Sequence, residues 1–173
     1  WNDIHDVVWG LNFRSIKDDT EPTQIFSLTP PERRVNLWTV FLQDEISLFD
    51  DRAKLTVGTK LEHNDFTGFE VQPNLRMAWL TESGNTIWGA VSRAVRTPSR
   101  GEHDVSLAVI PPSPTPPPLT IFGSKSFDSE HLVAWELGFR RAIAASVTID
   151  VAAFYNKYDQ LRTTDVYQPA PLE

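Results

Sequence analysis

The amino-acid sequence predicts an all-β fold, an antiparallel up-and-down meander of about seven long strands that forms part of a transmembrane β-barrel. Three observations predict it. Apolar and polar residues alternate along seven stretches, the mark of strands with one apolar and one polar face. The connections between those stretches alternate between tight and long. Several stretches reach ~11–15 residues, against ~5–6 in soluble sheets, and a tilted membrane-crossing strand needs about that many.

In the first stretch Val7, Trp9, Leu11 and Phe13 oppose Gly10, Asn12 and Arg14. The second, Val35 to Phe49, gathers Trp38, Val40, Leu42, Ile46 and Leu48 on one face. The cleanest is Lys54 to Asn64, where Leu55, Val57, Thr59 and Leu61 oppose Thr56, Gly58, Lys60, Glu62 and Asn64. A helix would scatter those residues around its circumference. Val71, Leu75, Met77 and Trp79 then oppose Gln72, Asn74 and Arg76. Asn85 to Thr97 is ambiguous in facing: Trp88, Ala90, Ser92, Ala94 and Arg96 share one side, while Arg93 joins Ile87, Val91 and Val95 on the other. Val133, Trp135, Leu137 and Phe139 oppose Ala134, Glu136, Gly138 and Arg140. Last, Val147, Ile149, Val151, Ala153 and Tyr155 oppose Thr148, Asp150 and Asn156.

Three connections read as tight turns: Asp50-Asp51-Arg52, Glu82-Ser83-Gly84-Asn85 and Ala142 to Ser146. Asp, Asn, Ser and Gly suit turns because they tolerate left-handed backbone or bond to it locally. On the opposite side, Asp18 to Arg33 is long and polar. Arg100 to Phe127 is longer and carries the stiff run Pro111-Pro112-Ser113-Pro114-Thr115-Pro116-Pro117-Pro118. Only Asp65 to Gly68 is short on that side. Outer-membrane barrels have this layout of tight periplasmic turns and long extracellular loops. A soluble β-sandwich, such as a carbohydrate-binding module, alternates in the same way. Periodicity alone leaves that reading open beside the barrel.

Composition narrows the function classes. A net charge of -7 argues against nucleic acid, whose binding rests on Lys and Arg neutralising phosphates. The absence of cysteine removes disulfides, thiolate metal sites and cysteine nucleophiles together. No Gly-rich phosphate cradle, serine elbow or zinc-binding His-Glu-x-x-His run is present, so no enzyme and no cofactor is expected. Glu102-His103-Asp104 has metal-ligating residue types, but on a long loop such a run is ordinarily solvated, and no metal site is assigned.

Several segments carry a resemblance to a known family. Phe41-Leu42-Gln43-Asp44-Glu45, followed after a turn by Leu55-Thr56-Val57-Gly58-Thr59-Lys60, resembles a strand pair common in TonB-dependent outer-membrane receptors. Ser92 to Ser99, Ser129 to Arg140 and Ala153 to Arg162 are similar to three further strands of that family, in the same order. The resemblance implies that residues 1–173 are a segment of such a receptor's barrel wall, without the plug domain or the closing strand. About seven of the family's twenty-two strands are expected. It also implies a bacterial outer-membrane location and uptake of a scarce nutrient, a small molecule or metal chelate such as a ferric siderophore, haem or cobalamin, driven by the TonB complex acting through the plug.

Within that frame Arg100, Glu102, His103 and Asp104 are the candidate ligand-contacting loop residues. Lys60, Arg76, Arg96, Glu136 and Arg140 are expected to face the lumen, pairing across strands or touching a plug. Pro98 is read as ending its strand by withholding a backbone donor. An isolated open sheet has two bare edges and an apolar face. The segment alone is therefore expected to curl, to pair with another copy, or to fold its lipid face onto itself.

Overall fold

Each alternating stretch leaves its backbone polar groups unsatisfied unless it pairs with a neighbour, so long strands must lie side by side. The computed structural model, which describes residues 4–109 and 119–163, shows that arrangement. The elements are β1 (His5–Asp19), β2 (Phe26–Leu28), β3 (Glu32–Leu48), β4 (Ala53–Asn64), β5 (Gly68–Leu80), β6 (Thr86–Arg96), α1 (Arg100–Asp104), β7 (Val105–Val109), β8 (Leu119–Phe122), β9 (Glu130–Ala144) and β10 (Val147–Asp159). Seven strands form one sheet in the order β1-β3-β4-β5-β6-β9-β10, every neighbouring pair antiparallel. Strands β2, β7 and β8 form a second, small sheet.

Register decides the faces. Gln43, Gly58, Asn74, Ser92, Ala134 and Asn156 stand in one transverse row, while Val57, Leu75, Val91, Trp135 and Tyr155 stand in a row on the other side. The ambiguous strand, now β6, is thereby resolved: Trp88, Ala90, Ser92 and Arg96 share the polar face with Arg76, and Arg93 lies on the apolar one.

None of the described residues covers that apolar face. Trp9, Leu11, Trp38, Leu42, Leu137, Val151 and Tyr155 are all more than half exposed, and Ala53 is the only buried hydrophobic residue among those described. The accessible surface is 12953 Å², where a compact monomer of this mass would expose about 8,600 Å². A β-sandwich would have closed a second sheet over these side chains, so that alternative is set aside.

On the polar face, large aromatic rings lie over glycines. A Cβ at Gly10 would overlap the Phe41 ring, and one at Gly138 would overlap the Trp88 indole. These residues are cross-strand neighbours, so glycine here makes room for a ring. The turn between β3 and β4 runs through positive φ at Phe49, Asp50 and Asp51. Asp tolerates that region; Phe49 is held there with its ring packed 5.3 Å from that of Trp79.

Two expectations need correction. The connections read as loops from Asp18 to Arg33 and from Arg100 to Phe127 are partly ordered: β1 and β3 extend into the first, and the second holds α1, β7 and β8. The signals were present, since Val105, Leu107 and Val109 alternate with Ser106 and Ala108. The neighbouring prolines concealed them. The polyproline run Pro111 to Pro118 lies outside the described residues.

Without detergent the 173-residue chain should form oligomers or aggregates by light scattering, and nonionic detergent should disperse it. A stable monomer in plain buffer would contradict the open apolar face. Gly138→Val should lower the unfolding temperature, at about 1–3 kcal/mol of overpacking, because the Trp88 indole must lift off the sheet. An unchanged melting curve would count against this packing.

Candidate functional site

The long connections all emerge at one end of the large sheet, and there the ionic side chains converge. Pro98 follows β6, and Ser99 opens α1 as its N-cap. The Glu102 backbone N–H donates to Ser99 Oγ at 3.3 Å, and the Ser99 backbone N–H donates to Glu102 Oε2 at 2.7 Å. This reciprocal capping box satisfies two donors that a helix start otherwise leaves free. The signature Ser-x-x-Glu stands in the sequence at 99–102 and could have revealed the helix.

Glu102 is shared between that cap and an ion-pair cluster. Arg96 reaches Glu102 Oε1 at 2.9 Å and Glu130 Oε2 at 2.7 Å. Arg162 reaches Glu102 Oε1 at 2.6 Å, and its backbone N–H donates to Glu130. Two arginines and two glutamates thus tie the ends of β6, α1, β9 and β10 together. The hydrogen bonds from Arg96, then those from Ser99, outweigh burial and hold the Glu102 carboxyl down at about 2.

A second cluster ties the β1–β3 hairpin to the same helix. Arg100 is buried, and its guanidinium donates to Asp18 and to the Pro30 and Pro31 carbonyls. Asp104, with its side chain wholly covered, accepts from Arg33 at 2.7 Å and lies 2.9 Å from His103 Nδ1. Burial pushes the Asp104 carboxyl up, but the hydrogen bonds from His103 and Arg33 prevail and leave it lowered. Arg33 also stacks 4.7 Å over the Phe66 ring, whose edge meets His103.

A third set joins the β4–β5 turn to the start of β9. Asn64 Oδ1 accepts the backbone N–H groups of Phe66 and Thr67, each at 2.9 Å. The Ser129 hydroxyl lies 2.5 Å from Glu70 Oε1, and all of Asn64, Glu70 and Ser129 are buried.

Gly123 closes the arrangement. Its N–H donates to the Val105 carbonyl at 2.7 Å. A Cβ there would sit 2.7–2.9 Å from backbone atoms of Glu102, His103 and Val105, and backbone cannot step aside.

The four loop candidates therefore occupy one braced assembly. Arg100 and Asp104 point inward, so Glu102-His103-Asp104 is a helical, partly covered run and not the solvated loop expected. Among the described residues no three His, Asp or Glu side chains converge as a metal would require. Sequence reasoning missed Asp18, Arg33, Asn64, Glu70, Ser129 and Gly123; only the Ser-x-x-Glu signature advertised this assembly, because the partners lie far apart in the chain.

The other five candidates share the polar face. Arg76 and Glu136 line a hollow of about 370 Å³ together with Gln43, Glu45, Lys54 and Asn74. Arg140 bonds to Asp150 at 2.8 Å, Lys60 to Glu62 at 3.2 Å, and Arg96 belongs to the ion cluster above. This surface can bind polar groups and charges; nothing in it constitutes a nucleophile with its base.

Comparisons with known proteins agree with this architecture. The family model described as TonB dependent receptor-like, beta-barrel, matches residues 1–172. Among solved structures, the siderophore receptor PirA of Pseudomonas aeruginosa superposes with a TM-score of 0.74 at 19% identity, over 89% of this chain and 29% of that one. PirA of Acinetobacter baumannii gives 0.72 at 16% identity, over 91% and 25%. A variant of the P. aeruginosa ferric enterobactin receptor PfeA, in complex with enterobactin, gives 0.72 at 22% identity, over 89% and 24%. At these identities the likeness shows the fold. The chain spans roughly a quarter to three-tenths of the solved chains it matches. No curated protein matched it.

The Glu102 carboxyl titrates lower in the folded state than its ordinary 4.5. Its contribution to loop order is therefore present above pH 4.5 and is lost as pH falls through about 2. Amide protection of residues 99–105, corrected for intrinsic exchange, should be flat from about pH 7 to 5 and should fall between about pH 4 and 2. Glu102→Gln should lower it already at neutral pH, and Gly123→Ala should do so more severely. Protection indifferent to both variants would refute the bracing.

Proposed function

The chain belongs to the TonB-dependent receptor β-barrel family, and from that premise we propose that it supplies part of the wall and outer loops of an outer-membrane receptor that imports a scarce nutrient. One observation carries the reading: a single sheet with an uncovered apolar face, a polar face hollowed around charged side chains, and braced loops at one end only. The apolar face meets lipid, the polar face meets the barrel interior, and the Glu102 and Asp104 assembly stands outside the cell. Residues 1–173 are a barrel segment, and a plug elsewhere in the receptor would seat against Arg76, Glu136 and Arg140.

The substrate is a small molecule or metal chelate. A ferric siderophore is the form best supported, because the solved proteins of similar fold include siderophore receptors. Work is supplied by the TonB complex. The strands themselves perform no covalent chemistry. Their polar residues hold water, plug and passing ligand, while the bracing keeps the outer loops in a fixed shape that a ligand meets without a large ordering cost.

Cells carrying the whole protein as their only siderophore receptor should accumulate radiolabelled ferric siderophore when TonB is present. Without TonB they should bind it at the surface and fail to import it. Equal import in both strains would overturn the proposal.

A further inference from the structure

We propose that the apolar face carries, at the margin next to the long loops, a binding site for the phosphate of an anionic lipid headgroup, built from Arg93, His131 and Lys157. This rests on the reading of that face as lipid-exposed.

Register puts the three residues together. Arg93 stands opposite Val133, and Val133 stands opposite Lys157, so two cations flank one valine across three strands. Two strand spacings separate their backbones by on the order of 10 Å, a span that two long side chains close around one phosphate. His131 is the next residue of β9 on the same face.

Among the described residues, no anion pairs with Arg93 or Lys157. The Arg93 guanidinium donates to the Val71 carbonyl and meets His131 Nδ1 at 3.0 Å. Neither partner is an anion, so the charge is not compensated and most of the donors remain unused. An imidazole that accepts on Nδ1 carries its proton on Nε2, which gives the cluster one more donor. Lys157 is exposed and, like Arg93, makes no ion pair among the described residues. By contrast His5 pairs with Asp44 and Lys17 with Glu32 on the same face. Asp159, in register with His131, accepts from the Gln160 backbone N–H and is bonded to neither cation.

The depth suits a headgroup. Trp135 and Tyr155, with ring centroids 5.6 Å apart, lie one step nearer the middle of the face, and such rings favour the boundary between hydrocarbon and headgroup. Val91 and Val133 offer apolar surface for an acyl chain beside the cations. A free anion would gain nothing from that surface. Arg93 also has a structural task, since the β5–β6 ladder ends at Asn74 opposite Ser92, next to Pro73, and leaves the Val71 carbonyl to be satisfied by the guanidinium. That task needs one donor and not the neighbouring lysine.

The test uses the whole protein in nonionic detergent, with native mass spectrometry after addition of phosphatidylglycerol or phosphatidylcholine. Wild type should retain phosphatidylglycerol at least fivefold better than phosphatidylcholine. Lys157→Gln, which spares the Val71 contact, should lose most of that preference, and Arg93→Lys with Lys157→Arg should keep it. Arg141→Gln, removing one charge from the same face near the opposite margin, should leave it unchanged. Equal retention of the two lipids, an effect of Arg141→Gln as large as that of Lys157→Gln, or displacement of the lipid by millimolar inorganic phosphate would overturn the site. Failure of the underlying reading would show separately, as a protein that remains monomeric when the detergent is removed.

Discussion

Everything in this molecule depends on the register of the seven-stranded ladder. A strand's side chains alternate with a period of two, so a slip of one residue would carry every apolar side chain to the polar face. The long apolar rows exist only because successive antiparallel pairings hold one alignment, four of them between Val57 and Tyr155. Cross-strand packing reinforces that alignment at particular points. Phe41 fits over Gly10 and Trp88 over Gly138 in the observed register only, since a shifted strand would bring a Cβ under either ring. The interdigitation supplies specificity that backbone hydrogen bonds, identical at every position, cannot supply.

The loops solve a different problem. Long connections at a sheet end lose chain entropy when they adopt one shape, and they have little apolar surface to offset it. Here the offset comes from shared charged groups. Glu102 caps α1 and accepts from Arg96 and Arg162 at once, and Asp104 gathers Arg33, His103 and Arg100. Because each carboxylate serves several elements, the hairpin, the helix and the strand ends are ordered together. Surface ion pairs taken singly contribute little, but a partly covered network with one member shared among several partners is more cooperative.

The contrast explains how much was legible in the sequence. Alternation is a local property, so Leu55 to Leu61 disclosed a strand and its two faces without knowledge of any neighbour. Tight turns were equally local, being written in Asp50-Asp51 and Ser83-Gly84. The loop assembly was not legible because its contacts join Asp18 to Arg100, Arg33 to Asp104 and Glu70 to Ser129, separations of 59 to 82 residues. Charge alone made those residues look solvated. Only the capping box at Ser99 was local enough to be read, and it marked the helix around which the rest is built.

Arg93 shows where the two kinds of information meet. Its position on an otherwise apolar strand face was visible in the sequence as an ambiguity of facing. The structure traces that position to Pro73. A proline in an inner strand has no N–H, the β5–β6 ladder stops beside it, and the residues of β5 before Asn74 have no ladder partner on β6. A carbonyl left free on an apolar face must find a donor. An arginine from the neighbouring strand β6 meets that need, but it brings a full charge to a largely apolar surface. Local backbone chemistry thus places a cation at this margin, and among the described residues no anion pairs with it.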